Sequence, residues 1–123
     1  MKRILCVDDD QDILDVYDII LSSEGYLVKT STFPSDILQL ILDFEPDLIM
    51  LDIRMINING LEVCKKLKSY ISNKNTPVIM VSSDDSIYRA VCDFGATDII
   101  LKPFIINDFI NKVNLHLLPQ VIH

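Results

Sequence analysis

No stretch of the chain stays apolar for anything near the ~18 residues that cross a bilayer, and Met1-Lys2-Arg3 leads straight into a strand pattern. A soluble, untargeted, cytoplasmic protein with no membrane partner is the expectation. Basic residues are in deficit, 11 Lys and Arg against 18 Asp and Glu. The resulting net charge of −7 argues against direct nucleic-acid binding and against an anionic membrane surface. Glycine is scarce, with three residues and no Gly-rich phosphate cradle after the first strand pattern. The cysteines, Cys6, Cys64 and Cys92, are odd in number, lie in apolar segments and lack metal-ligand spacing, so they read as buried thiols in a reducing cytosol. Internal repeats, low-complexity segments and internal linkers are also missing.

Apolar residues, by contrast, make up 50% of the chain. That composition at 123 residues predicts one domain, 1–123, burying ~two thirds of its unfolded surface. An apolar run from Ile4 to Val7 ends in Asp8-Asp9-Asp10. Ile13, Val16, Tyr17, Ile20 and Leu21 then trace one side of a helix, with Asp12, Asp15 and Asp18 on the wet side and Glu24-Gly25 at its end. Tyr26 to Thr30 reads as a strand, and Pro34 opens a helix with Ile37, Leu38, Ile41 and Phe44 inward, stopped by Pro46. Leu48 to Leu51 is the central strand, ending on Asp52. A loop to Gly60 leads to a helix over Leu61 to Tyr70, with Leu61, Cys64 and Leu67 inward and Lys65, Lys66 and Lys68 outward. After a polar loop, Ser72 to Pro77, come a strand from Val78 to Val81, a short helix from Ile87 to Phe94 closed by Gly95, and a strand from Thr97 to Leu101. The last helix, Asn107 to Leu118, sets Phe109, Ile110, Val113 and Leu117 on one face, and Leu118 to Val121 reads equally as a terminus or as the start of a linker. Five strands alternating with helices, the strands near-continuously apolar, predict an α/β fold: a doubly wound parallel sheet covered on both faces.

In such a sheet, chemistry gathers beyond the carboxyl ends of the strands. Four of the five strands end there in groups with reactive potential: Asp8-Asp9, Asp52, Ser82 and Lys102. Each has a local role available to it, as a helix cap, a turn residue or a surface charge. Their coincidence at one edge is what argues for a site. Clustered carboxylates repel one another unless a cation intervenes, and hard oxygen donors without a nearby histidine or thiolate suit Mg²⁺. A carboxylate beside a divalent ion and an ammonium can accept a phosphoryl group, whose transfer depends on positioning and charge neutralisation.

Asp8-Asp9, Asp52, Ser82 and Lys102-Pro103-Phe104 resemble, in order and spacing, the receiver domain of two-component response regulators, over essentially the whole chain. The resemblance implies a flavodoxin-like (βα)5 fold with strand order 2-1-3-4-5. It implies that Asp52 is the phosphoacceptor and also a Mg²⁺ ligand, Asp9 a direct Mg²⁺ ligand, Asp8 a ligand through water, and the Arg54 carbonyl a further ligand. Ser82, with the Ser83 amide beside it, would hold the phosphoryl group and carry the switch, and Lys102 would pair with phosphoryl oxygen. Gly60 matches the family's loop, Arg54 and Asp84 border the mouth of the site, and a cis Lys102-Pro103 bond is expected to aim Lys102 inward. Two positions depart from the family: Ile56 replaces its usual proline, and Ile99 its aromatic switch residue.

The implied function is a phosphorylation-driven switch, modifying itself rather than turning over a substrate. Its expected partners are a histidine kinase or histidine phosphotransfer protein and a downstream protein target or effector domain. A haloacid-dehalogenase-type phosphatase also uses a strand-end Asp and Mg²⁺, but its second carboxylate would fall at Arg54 and the chain has no room for a cap domain. A flavodoxin-like binding protein would share the sheet order but lacks its phosphate cradle here.

Overall fold

The computed structural model describes residues 1–32, 34–55, 57–70 and 75–118. The departure at Ile56, part of the polar loop after Tyr70 and the segment beyond Leu118 lie outside them. Strand β1, Arg3–Val7, is followed by helix α1, Gln11–Ser23. Asp10 starts that helix by accepting the Asp12 amide at 3.0 Å, and Gly25, at φ +88°, turns the chain out of it. Strand β2, Leu27–Ser31, leads through a 3₁₀ turn, Pro34–Asp36, into α2, Ile37–Phe44, which stops at Glu45 in a left-handed conformation before Pro46. The buried strand β3 is Leu48–Leu51. The loop expected after it contains a two-stranded antiparallel ribbon, β4 at Arg54–Met55 and β5 at Ile58–Asn59, which runs directly into α3, Gly60–Tyr70. Then come β6, Val78–Ser82; a 3₁₀ turn, Asp85–Arg89, continuing as the short α4, Ala90–Phe94; β7, Asp98–Leu101; and α5, Ile106–Leu117.

The main sheet has the order β2-β1-β3-β6-β7 with every pairing parallel. Counting its five strands along the chain, this is the expected 2-1-3-4-5. Because side chains alternate across a strand, each buried strand feeds two cores. Leu5, Ile49 and Met80 pack with Ile37, Cys64 and Ile87 from the α2–α3–α4 side. Ile4, Cys6 and Met50 pack with Leu14, Tyr17 and Phe109 from the α1–α5 side. On that second side Tyr17 stacks on Phe109 at 5.3 Å between ring centroids, and Phe109 on Phe104 at 4.8 Å.

Four side chains sit differently from the sequence reading. Helix α1 buries Leu14 rather than Val16, which is 49% exposed, because its apolar residues outnumber what one face can hold. Leu38 is exposed for the same reason. Cys92 is exposed on α4, whereas Cys6 and Cys64 are buried as expected. Lys68 is not simply solvated: its ammonium donates to the Thr76 carbonyl at 3.3 Å and to Thr97 Oγ1 at 3.4 Å, tying α3 to the strands beside it. Among the described residues no helix is long and apolar enough to cross a membrane.

Phe109 is fully buried where α1, α5 and the sheet meet, so its loss leaves a cavity under the strand-end edge. Phe109→Ala is expected to lower the unfolding free energy by about 3–5 kcal/mol in a denaturant titration. A loss below ~1 kcal/mol would show that this layer is not close-packed.

Candidate functional site

The alternation that builds the two cores also aims the polar residues at the strand ends. Asp8 follows Ile4 and Cys6, Asp52 follows Leu48 and Met50, and Lys102 follows Ile100, all inward on the α1–α5 side. Ser82 follows Val78 and Met80 and so belongs to the opposite side, next to the 3₁₀ turn and α4. Adjacency of β1 and β3 places Asp8 beside Asp52, whose amide donates to the Val7 carbonyl at 3.1 Å.

Carboxylate oxygens of Asp8, Asp9 and Asp52 all lie within 4.8 Å of one another. Asp8 is buried, 2% exposed, whereas Asp9 is exposed at the mouth and Asp52 is intermediate. Asp8 Oδ1 accepts the Asp10 amide at 3.0 Å, and Asp8 Oδ2 lies 3.2 Å from Lys102 Nζ. The same ammonium is 3.6 Å from Asp52 Oδ2, while Asp52 Oδ1 accepts the Ile53 amide at 2.7 Å. Burial pushes the Asp8 carboxyl above the usual range; the Asp10 amide and Lys102 oppose this, and the Asp52 charge adds to it. One lysine therefore pairs with two of the three carboxylates. The donor set is all hard oxygen, and the nearest thiol, Cys6, is held protonated by burial. Such a set fits Mg²⁺, with Asp8, Asp9 and Asp52 as the residues that would hold it.

Gly60 is explained by close approach. A Cβ there would stand 1.9 Å from the Asp52 carbonyl oxygen, and the Gly60 amide donates to the Ile53 carbonyl at 2.6 Å. Any side chain would push the start of α3 off the backbone of Asp52.

Ser82 is buried, and its Oγ accepts the Asp84 amide at 3.1 Å. Ser83 is exposed beside it. The Ser82 carbonyl accepts the Lys102 amide at 3.0 Å, holding the ends of β6 and β7 together, and the Lys102-Pro103 bond is cis, as expected. Arg54, on β4, forms an ion pair with Asp84, which caps the 3₁₀ turn after β6. Asp84 also accepts the Ser86 amide at 2.9 Å and the Ser86 hydroxyl at 2.7 Å. Hydrogen bonds from Ser86, then from Arg54, hold the Asp84 carboxyl down to about 2. Ser86 has no place in the sequence reading, although Asp84-x-Ser86 ahead of a helix is a capping pattern that would have found it. Ile99 is half-buried against the α3–α4 side, and its carbonyl accepts Lys112 Nζ at 3.1 Å.

Fold and site together define a doubly wound domain whose topological switch point carries an acidic cluster and a lysine. The response regulator receiver domain profile matches residues 4–114, and the chain belongs to that family. It is 35% identical over 115 residues to the response regulator ArlR of Staphylococcus aureus, a match covering 92% of this chain and 51% of that protein. The chain thus spans about half the length of this relative. Among solved structures, the response regulator TrrA of Thermotoga maritima in complex with Mg²⁺ and BeF superposes with a TM-score of 0.84 at 29% identity, covering 95% of this chain and all of that one. The receiver domain of NtrX from Brucella abortus gives a TM-score of 0.82 at 34% identity, covering 95% of this chain and 99% of that one.

A buried carboxyl whose folded-state pKa is raised costs stability above that pKa, and the cost disappears as pH falls through it. An uncharged isostere removes the cost at every pH. Asp8→Asn is therefore expected to raise the melting temperature of the metal-free protein at pH 7, with the gain shrinking in acid; a lowered melting temperature at pH 7 would contradict the repulsion described above.

Proposed function

We propose that this receiver domain accepts a phosphoryl group on Asp52 and thereby changes the surface it presents to a protein partner. The observation that carries the reading is the convergence of Asp8, Asp9 and Asp52 with Lys102 at one edge of the sheet. Asp52 is the nucleophile: the Ile53 amide fixes its carboxylate, and an oxygen–phosphorus bond forms as the donor's nitrogen–phosphorus bond breaks, the electron pair leaving with the donor imidazole. Lys102, now shared between Asp8 and Asp52, would move its charge to a phosphoryl oxygen. Asp9 would ligate the metal directly, Asp8 through a water and Asp52 through its carboxylate, and the Arg54 carbonyl would add a further protein contact. Bound Mg²⁺ supplies the additional positive charge that phosphoryl transfer needs. The donor is a histidine kinase or histidine phosphotransfer protein, the setting cytoplasmic, and the reader a downstream protein or an effector domain. The chain acts once per phosphoryl group, as a switch rather than a turnover enzyme.

The output route starts at Ser82. Its hydroxyl accepts the Asp84 amide and has a proton left to donate to a phosphoryl oxygen, with the Ser83 amide beside it, so a shift of Ser82 carries Asp84 and the 3₁₀ turn with it. Ile99 has no ring to turn, and the response is a smaller repacking read on the surface of Arg89, Ile99 and α5. Phosphorylation favours that arrangement only by as much as it binds it better.

Incubation with acetyl phosphate and Mg²⁺ should add one phosphate per chain by intact mass and none to Asp52→Asn. Equal labelling of that variant would exclude Asp52 as the acceptor.

Loss of the phosphoryl group needs a water in line with the Asp52–phosphorus bond, and the Arg54–Asp84 ion pair, formed two residues beyond Asp52 and two beyond Ser82, would stand beside that approach. With Asp84 held down to about 2, the pair is charged throughout the neutral range. Arg54→Ala and Asp84→Ala should each speed dephosphorylation by up to about tenfold, and the double variant no more than either alone, because the two act as a unit. Single variants that lose phosphate no faster than the parent would remove the pair from the mechanism.

A further inference from the structure

Beneath the acidic edge lies one polar group that the proposed reaction does not use. Tyr17 is 3% exposed, and its hydroxyl is buried without a hydrogen-bond partner among the described residues. Packing explains the ring but not the oxygen. The ring belongs to the stack with Phe104 and Phe109, a role that phenylalanine would fill without burying a hydroxyl.

The direction of the side chain follows from the helix that carries it. Long side chains on a helix lean toward its N-terminus, and α1 begins at Gln11, immediately after the acidic run. Asp8 leans to the same side of the sheet, in step with Ile4 and Cys6. The charge that bears most strongly on the phenol is that of Asp8, with Asp52 also contributing. Burial, reinforced by these negative neighbours, pushes the phenol's pKa far up, so the hydroxyl keeps its proton and is a donor. Asp8 can receive it: each of its oxygens has one protein donor, from Asp10 or Lys102, and each oxygen has capacity for a second.

We propose that Tyr17 is a positioning residue of the cation site, its hydroxyl donating through one buried water to the Asp8 carboxylate and holding that carboxylate turned toward a divalent ion. The inference rests on reading Asp8, Asp9 and Asp52 as a cation site. A hydroxyl in a dry layer beneath a carboxylate pocket needs such a shared water to be satisfied, and a carboxylate that serves a metal is commonly fixed by a donor behind it. Tyr17 would thus join the aromatic layer to the metal.

The test is calorimetric titration of Mg²⁺ into the full chain without any phosphoryl donor, paired with the melting temperature of the metal-free protein. Tyr17→Phe keeps the ring and removes the hydroxyl. It is expected to weaken Mg²⁺ binding on the order of tenfold while leaving the metal-free melting temperature unchanged or higher. Tyr17→Leu should show the same loss of affinity together with a lower melting temperature, since it also breaks the aromatic stack. Tyr17→Phe binding Mg²⁺ within about twofold of the parent would overturn the role of the hydroxyl, whatever Tyr17→Leu does. A parent that binds no Mg²⁺ would overturn the cation site itself and the proposal with it; a parent that binds while Tyr17→Phe binds equally well would overturn only the proposal.

Discussion

Repulsion among Asp8, Asp9 and Asp52 is the constraint around which the molecule is arranged. Three carboxylates with oxygens within 4.8 Å of one another, one of them buried, are held against a single ammonium. They stay together because the scaffold gives them no freedom to part. Asp8 and Asp52 end adjacent strands buried on both faces, and Lys102 is pinned through its own amide to the end of β6. A parallel sheet sends every carboxyl end to the same edge, so the fold concentrates charge by its topology. The excess negative charge is what makes a divalent cation a better partner for the site than water.

The two sides of the sheet divide the work. Asp8, Asp52 and Lys102 project toward α1 and α5, above a layer of stacked aromatics, whereas Ser82 projects toward α4. The proposed function would thereby place acceptance and readout on opposite faces that meet at the strand ends. On the Ser82 side, the segment after β6 is the less firmly built. The long helices α1 and α5 pack on one side; on the other, β6 leads into a 3₁₀ turn and a helix of only five residues. A segment started by the Asp84 cap and anchored by the buried Ile87 and Ala90 has less apolar contact than α1 or α5 and is suited to move at small cost. Gly60 supplies the opposite property, fixing the start of α3 against the Asp52 carbonyl so that the backbone of Asp52 does not drift.

Much of this is legible in the sequence because buried parallel strands are short apolar runs with polar ends. Leu48 to Leu51 followed by Asp52 announces both the strand and the site, and four such endings at one edge need no geometry to be noticed. Helix phase is harder. In α1 the apolar runs Ile13-Leu14, Val16-Tyr17 and Ile19-Ile20-Leu21 allow two overlapping stripes, and only contact with the sheet selects Leu14 over Val16. The β4–β5 ribbon escapes because strands of two residues have no period to detect. Gly60 is recognisable in the sequence only through family resemblance, since its physical reason is a close approach to a residue eight positions away. Tyr17 reads as one more apolar ring, and its hydroxyl gains meaning only once its burial without a hydrogen-bond partner among the described residues is known.

The central claim is that one site combines the Asp52 acceptor, a divalent ion and the Lys102 charge. Fluorine NMR of the protein mixed with beryllium and fluoride tests it directly, because a beryllofluoride group bound at a carboxylate mimics the phosphoryl group there. The account predicts a single set of bound resonances that requires Mg²⁺ and is lost in Lys102→Ala. Bound resonances of equal intensity without Mg²⁺, or none in the parent at saturating Mg²⁺, would contradict it.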